Sequence, residues 1–73
     1  MDVYEQLAVK IRTLRNERKW SQEELADRAD LHRTYISHIE NAKRDISVKS
    51  LCKIALGLGI EPSKLLENID LKL

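Results

Sequence analysis

The chain has 73 residues and a formal net charge of +1, although 34% of its residues are charged. This length suits a single domain, residues 1–73, and a core this small leaves stability marginal unless a second copy supplements it. One cysteine, Cys52, excludes an intramolecular disulfide, and without a signal peptide or an apolar run of roughly 20 residues we expect a cytoplasmic protein.

Apolar residues spaced by three and four predict a first helix over roughly 3–18. Its stripe consists of Tyr4, Leu7, Ala8, Ile11 and Leu14. Ser21 stands three residues before Glu24, which matches a capping box and predicts the start of a second helix. Leu25, Ala26 and Ala29 form the apolar side of that helix. Asp30 follows, and aspartate tolerates the left-handed conformation that a tight turn between helices needs.

A third helix is predicted over roughly 32–41, with Ile36 and Ile39 pointing inward. Its opposite face carries polar residues at helical spacing: Arg33, Thr34, Ser37, His38 and Asn41. Two short helices joined by about four residues, the second with a polar face, form the helix-turn-helix pattern.

The chain after residue 41 begins with a polar loop over 42–46 and then predicts two more helices. Ser47 suits the cap of a fourth helix. Its expected inward residues are Val48, Leu51, Ile54, Ala55 and Leu58, and Gly57 and Gly59 mark its end. Pro62 suits the first turn of a fifth helix, which carries Leu65, Leu66 and Ile69. The sequence therefore predicts an all-α domain of five helices.

The segment 20–41 resembles the phage-repressor-like helix-turn-helix family of the Cro and xenobiotic-response-element type. The matching residues are Ser21, Gln22, Glu24, Leu25, Ala26, Ile36, Ser37, Ile39, Glu40, Asn41, Leu51, Ile54, Ala55, Leu58, Leu65 and Leu66. Within that family, the run 33–37 is similar to the controller proteins of restriction–modification systems. The resemblance implies a lambda-repressor-like fold and a homodimeric transcriptional regulator that binds a pseudo-palindromic operator.

The resemblance places the third helix in the major groove, with its N-terminal residues nearest the base edges. The guanidinium of Arg33 matches O6 and N7 of guanine. The other residues of this helix expected to contact DNA are Thr34, Tyr35, Ser37, His38 and Asn41. Simple solvation is the alternative for Arg33 and His38, whereas Tyr35 also borders the core stripe.

Phosphate contacts are expected from residues outside the third helix. Gln22 matches the family's phosphate-binding glutamine at the start of the second helix. Lys43 and Arg44 lie in the loop after the third helix, from which Arg44 would also reach the minor groove. Arg15, within a basic cluster at Arg12, Arg15, Arg18 and Lys19, and Ser50 are the remaining expected backbone contacts.

Several residues are expected to be structural. Glu40 is acidic on a DNA-facing helix, so we expect it to pair with a nearby arginine. Trp20 is expected to pack at the core or its rim, and Cys52 to be a buried small apolar residue. Three positions depart from the family pattern. Asp30 replaces the common turn glycine, and His32 stands at the cap position where serine, threonine or aspartate is common. Ala42 replaces the glycine that often ends the third helix, so we expect Asn41 to adopt the left-handed cap conformation instead.

The tail holds more apolar residues than a small monomer easily buries, which favours a twofold dimer. The expected interface residues are Leu58, Ile60, Leu65, Leu66 and Ile69. The alternative is that some of them only close the monomer core. A dimer would present two copies of the third helix, one from each chain, about 34 Å apart.

Other classes of protein find little support in the sequence. His32 and His38 form no metal-binding pattern, and there is no glycine-rich phosphate loop, so we expect no catalysis, cofactor or metal. No ligand domain follows the motif, so no small-molecule effector is implied. Expected partners are double-stranded operator DNA, a second copy and RNA polymerase, in a bacterial or phage nucleoid. The alternative is an antitoxin or a helical protein-interaction module.

Overall fold

The computed structural model describes residues 1–43 and 45–71. Five helices follow one another: α1 (Val3–Glu17), α2 (Gln22–Ala29), α3 (Arg33–Glu40), α4 (Val48–Leu58) and α5 (Pro62–Leu66). All regular structure within these residues is helical, so the all-α prediction is confirmed. None of the described helices is both long and apolar enough to cross a bilayer.

Side-chain caps start three of the helices. Asp2 and Glu5 form a complete capping box at α1, and Ser47 accepts a hydrogen bond from the Ser50 amide at α4. At α2 the Ser21 hydroxyl accepts from the Glu24 amide at 3.0 Å, but the Glu24 carboxylate binds Arg28. The predicted box is therefore half formed, because the ion pair with Arg28 takes the side chain that would complete it.

Helices α1, α2, α3 and α4 all end with one backbone motif. A residue in the left-handed region donates its amide to the carbonyl three residues back, and the next amide donates to the carbonyl five back. The left-handed residues are Lys19, Asp30, Ala42 and Gly59. The prediction for Asp30 is confirmed, whereas the one for Asn41 is wrong. Asn41 has φ −101°, and its side-chain amide donates to Ser37 O at 2.8 Å, so the reversal falls on Ala42.

The residue after each left-handed position determines whether the chain packs against the core or stays at the surface when it leaves the helix. After α1, α2 and α4 this residue is Trp20, Leu31 or Ile60, and each packs against the core. An apolar residue at this place commonly seals the end of a helix. After α3 it is Lys43, which is exposed. The chain therefore turns inward after three helices and stays at the surface after α3.

The core is built from small and aliphatic side chains of all five helices. It consists of Leu7, Ile11, Leu25, Ala26, Ala29, Ile36, Ile39, Ile54, Ala55, Leu58 and Leu65. Helix α4 packs chiefly on α2, and Gly57 lies within α4 rather than at its end. A Cβ at Gly57 would stand 3.0 Å from the Ala29 amide nitrogen, so the glycine permits this close packing.

Four residues predicted to lie inward or within a helix are placed differently. Tyr4 and Val48 are exposed, because helical spacing gives the face of a helix and not how far along it the core extends. Cys52 is also exposed, since it lies about 100° around α4 from Leu51 and off the buried face. Ile69 follows α5, which ends at Leu66.

Candidate DNA-binding surface

Helix α3 is held by one face and presents the other. Ile36 and Ile39 are buried in the core, while Arg33 and Thr34 are exposed at its N-terminal end. Intrahelical bonding begins at His32, whose carbonyl accepts from the Tyr35 and Ile36 amides at 3.1 Å. The His32 side chain makes no capping hydrogen bond, as expected. The backbone amides of Arg33 and Thr34, in the first turn, therefore have no hydrogen-bond acceptor within α3.

The predicted α3 residues differ in how much surface they keep. Tyr35, Ser37 and His38 are half-buried, and Tyr35 packs partly against the core. Asn41 is exposed, and its amide donates to the Ser37 carbonyl. The structure thus places Arg33, Thr34, Ser37, His38 and Asn41 on one polar face, with Tyr35 at its border with the core and with Arg33, Thr34 and Asn41 exposed.

Glu40 pairs with an arginine, as expected, and it lies at the centre of a buried network. Its side chain is 2% exposed and that of Arg15 is 12% exposed. Arg15 donates from Nε to Oε2 at 2.7 Å and from Nη2 to Oε1 at 2.9 Å. This bidentate geometry is the strong form of an arginine–carboxylate pair. The hydrogen bonding of Arg15 to the Glu40 carboxylate raises the pKa of Arg15 above its usual value, while burial acts to lower it.

The network joins three helices. Arg15 also donates from Nη1 to the Trp20 carbonyl at 2.7 Å, and Arg12 donates from Nη2 to the Glu40 carbonyl at 2.8 Å. Gln22, the first residue of α2, donates from Nε2 to Glu40 Oε1 at 3.2 Å. Helix α1 is therefore tied to the end of α3 and to the start of α2.

Two of the predicted phosphate contacts lie inside the structure. Three of the donors of Arg15 are used by Glu40 and Trp20, so little of its guanidinium faces outward. Ser50 is buried, and its Oγ lies 2.9 Å from Ser47 Oγ in a hydrogen bond at the start of α4. Lys43 is exposed in the loop, and Arg44 lies outside the described residues.

The three arginines of the basic cluster, Arg12, Arg15 and Arg18, hold the fold together. Arg18 donates to the Leu14 carbonyl at 2.8 Å and to the Leu58 carbonyl at 3.0 Å, where it binds the last carbonyl of α4. Arg12 likewise binds a carbonyl at the end of α3. A guanidinium satisfies orphan carbonyls at a helix C-terminus and favours the local dipole. These arginines were grouped by charge in the sequence, and nothing in their spacing marked them as caps of other helices.

The structure contains the full helix-turn-helix geometry, and the comparison with known families agrees with it. The helix-turn-helix family model matches residues 11–65. The chain belongs to the helix-turn-helix family. The match covers the Glu40 network, both helices of the motif and the start of α5, so it extends well beyond the two-helix segment.

Similar proteins within this helix-turn-helix family are restriction–modification controllers. The chain is 48% identical to control protein C.MunI of a Mycoplasma species over 62 residues, 84% of each chain. It is 40% identical to control protein C.SmaI of Serratia marcescens, over 99% of this chain and 86% of that one. The controller C.Esp1396I, solved as a tetramer with its natural 35-base-pair operator, superposes with a TM-score of 0.85 at 33% identity, covering 94% of this chain and 91% of that one.

Trp20 packs at the rim of the core, as expected, and it holds an arginine over its ring. The guanidinium carbon of Arg28 lies 4.1 Å from the ring centroid, and that of Arg18 lies 5.8 Å away. Arg28 also binds Glu24 at 2.8 Å. The ring is thus covered by cations, which leaves it unsuited to stacking on a base.

The predicted interface residues fall into two groups. Leu58 and Leu65 are 3% and 0% exposed, so they belong to the monomer core and have almost no surface for a partner. Ile60 and Ile69 are half-buried, and Leu66 is 50% exposed. Leu56 is also exposed, and it lies outside the predicted inward stripe of α4 and outside the predicted interface.

Proposed function

We propose that this protein is a sequence-specific, DNA-binding transcriptional regulator that binds a pseudo-palindromic operator as a homodimer and controls restriction–modification genes. The observation that carries this function is the orientation of α3. Ile36 and Ile39 anchor the helix in the core, and Arg33 and Thr34 are exposed at the N-terminal end that such helices insert into the major groove.

The similar proteins support both the binding of operator DNA and the control of restriction–modification genes. C.MunI and C.SmaI are control proteins, and C.Esp1396I binds a 35-base-pair operator as a tetramer. An operator of that length spans more than three turns of B-DNA and so offers several half-sites. For this chain we propose a dimer as the unit that binds DNA, with RNA polymerase as a further partner at the promoter, in the bacterial cytoplasm.

The residues proposed to contact DNA follow from their exposure and chemistry, except that Arg44, which lies outside the described residues, follows from its place in the sequence alone. Arg33 is assigned to a base, with Thr34, Tyr35 and His38 beside it. Gln22, Ser37, Asn41, Lys43 and Arg44 are assigned to the backbone or the groove edge. Arg15 and Ser50 keep a contact role only through the little surface they retain, and their main role is to hold α1 and α4 in place.

Selection of bound fragments from a random pool of duplex DNA tests this function. We expect enrichment of a pseudo-palindrome whose half-sites are one helical turn apart, because a twofold dimer presents two α3 helices at that spacing. The variant with both Arg33→Ala and Thr34→Ala is the control and should enrich a motif that has lost its preference at the base positions that these two residues contact. Failure of the wild-type protein to enrich any sequence would reject the proposal.

A further inference from the structure

Gln22 is held by a carboxylate that it meets across the helix-turn-helix. The Glu40 side chain is 2% exposed and accepts from three donors, which are Arg15 Nε, Arg15 Nη2 and Gln22 Nε2. An ionised carboxylate accepts hydrogen bonds and donates none. It therefore binds the NH2 group of the Gln22 amide and repels its carbonyl oxygen.

This contact fixes which way the amide points. If the amide were reversed, its oxygen would lie against Glu40 Oε1, and two acceptors would face each other in a site shielded from water. One N–H of Gln22 is thus used by Glu40. The other N–H has no partner among residues 1–43 and 45–71, and it lies at the N-terminal end of α2.

We propose that Glu40 is a positioning residue for DNA binding: it orients the Gln22 amide so that its second N–H is presented to a DNA phosphate. This inference rests on the proposed function. Arg15 makes the arrangement compatible with DNA, because its bidentate contact balances the charge of Glu40, which would otherwise repel the phosphate. The Glu40 carboxylate also fixes the end of α3 to α1 through Arg15. One side chain therefore positions both the phosphate-binding residue of α2 and the helix proposed to enter the major groove.

A cycle of variants separates positioning from simple stabilisation. Gln22→Ala is made in the wild-type chain, in Glu40→Gln, and in the pair Arg15→Met with Glu40→Met. The Met pair removes both charges at similar volume, which is often tolerated, whereas removing one partner of a buried pair is costly. Urea unfolding establishes that each variant is folded at the temperature of the binding assay.

In the wild-type background, we expect Gln22→Ala to lower affinity for the selected operator about tenfold, as for one lost hydrogen bond to a charged group. In the Met-pair background, the same change should lower affinity less than twofold, because no polar group is left to orient the amide. In the Glu40→Gln background the loss should be intermediate, because the amide at position 40 can still accept a hydrogen bond from Gln22 but no longer selects one orientation. Asn16→Ala removes an exposed side-chain amide of α1 that makes no hydrogen bond within residues 1–43 and 45–71, and it should leave affinity unchanged in all three backgrounds.

Two results would overturn the inference while leaving the proposed function intact. An equal tenfold loss in every background would show that Glu40 only stabilises the fold. No loss in the wild-type background, with operator binding intact, would remove Gln22 from the interface. Absence of any operator binding by the wild-type protein would instead reject the proposed function, and the inference with it.

Discussion

Arg33 combines three properties that favour reading of a base. It is the first residue of α3, its side chain is exposed, and within residues 1–43 and 45–71 no ion pair holds its guanidinium. Arg12, Arg15 and Arg18, by contrast, are bound to carbonyls or to Glu40. A planar fork that is free to rotate can align both of its donors with guanine O6 and N7.

We expect Arg33→Ala to cost about 1–3 kcal/mol of binding free energy on the selected operator and to relax specificity at one base position. Arg33→Lys keeps the charge and loses the fork, so it should bind random DNA normally but still discriminate poorly. Binding isotherms on the operator and on single-base variants measure both effects. An equal loss on all sequences would make Arg33 a phosphate contact.

Lys43 is the last residue of the α3 end motif and is exposed, whereas α1, α2 and α4 place an apolar residue at this position. We expect Lys43→Ala to weaken binding to all DNA sequences and to reduce the slope of log K against log salt by about 1, because one fewer counterion is released. Lys64→Ala removes the same charge on α5, where Lys64 lies beside Glu67, and should not change the slope. An unchanged slope for Lys43→Ala would place it outside the interface.

At the level of helices, the end motif shared by α1, α2, α3 and α4 places one alanine, Ala42, in the left-handed conformation that suits glycine better. Gly59 adopts φ 75° without cost, but Ala42 adopts φ 54° at the end of α3. A Cβ in the left-handed region costs roughly 1–2 kcal/mol. Asn41 stays out of that region and binds Ser37 through its side chain, and the left-handed position falls on Ala42.

Ala42→Gly should therefore stabilise the fold by about 1 kcal/mol, since relief of this strain exceeds the added entropy of glycine in the unfolded chain. Urea unfolding with an unchanged m-value measures the difference. Gly59→Ala is the matched control and should destabilise the chain by a similar amount. A Cβ at Gly59 would meet nothing within 4 Å, so only the backbone conformation opposes it. A lower stability of Ala42→Gly would contradict the strain argument.

The helices were predictable because their signals are local. Ser21, Ser47 and Pro62 mark helix starts, and aliphatic spacing finds Ile36 and Ile39 on the inner side of α3. The long-range contacts were less predictable. That Glu40 would pair with an arginine followed from its charge, but the identity of Arg15, the bond to Gln22 and the reach of Arg18 to α4 depend on packing.

At the level of the whole molecule, burial separates residues that close the core from residues that remain for a partner. Leu58 and Leu65 complete the monomer, although both were predicted at the interface. Helical spacing cannot separate these uses, because a core and an adjacent interface both require apolar residues on α4 and α5. Of the predicted set, Leu66 keeps the most surface, with Ile60 and Ile69 half-buried.

Leu66 is therefore the sharpest test of the proposed dimer. Leu66→Asp places a charge at a side chain that is 50% exposed in the monomer, so the monomer fold should tolerate it while a desolvated interface should not. We expect sedimentation to show a shift toward monomer, and operator affinity to fall because the two half-sites are no longer bound together. Val48→Asp is the matched control, since Val48 is 81% exposed on α4 and outside the predicted interface. If Val48→Asp dissociates the dimer and Leu66→Asp does not, the interface lies on the exposed side of α4.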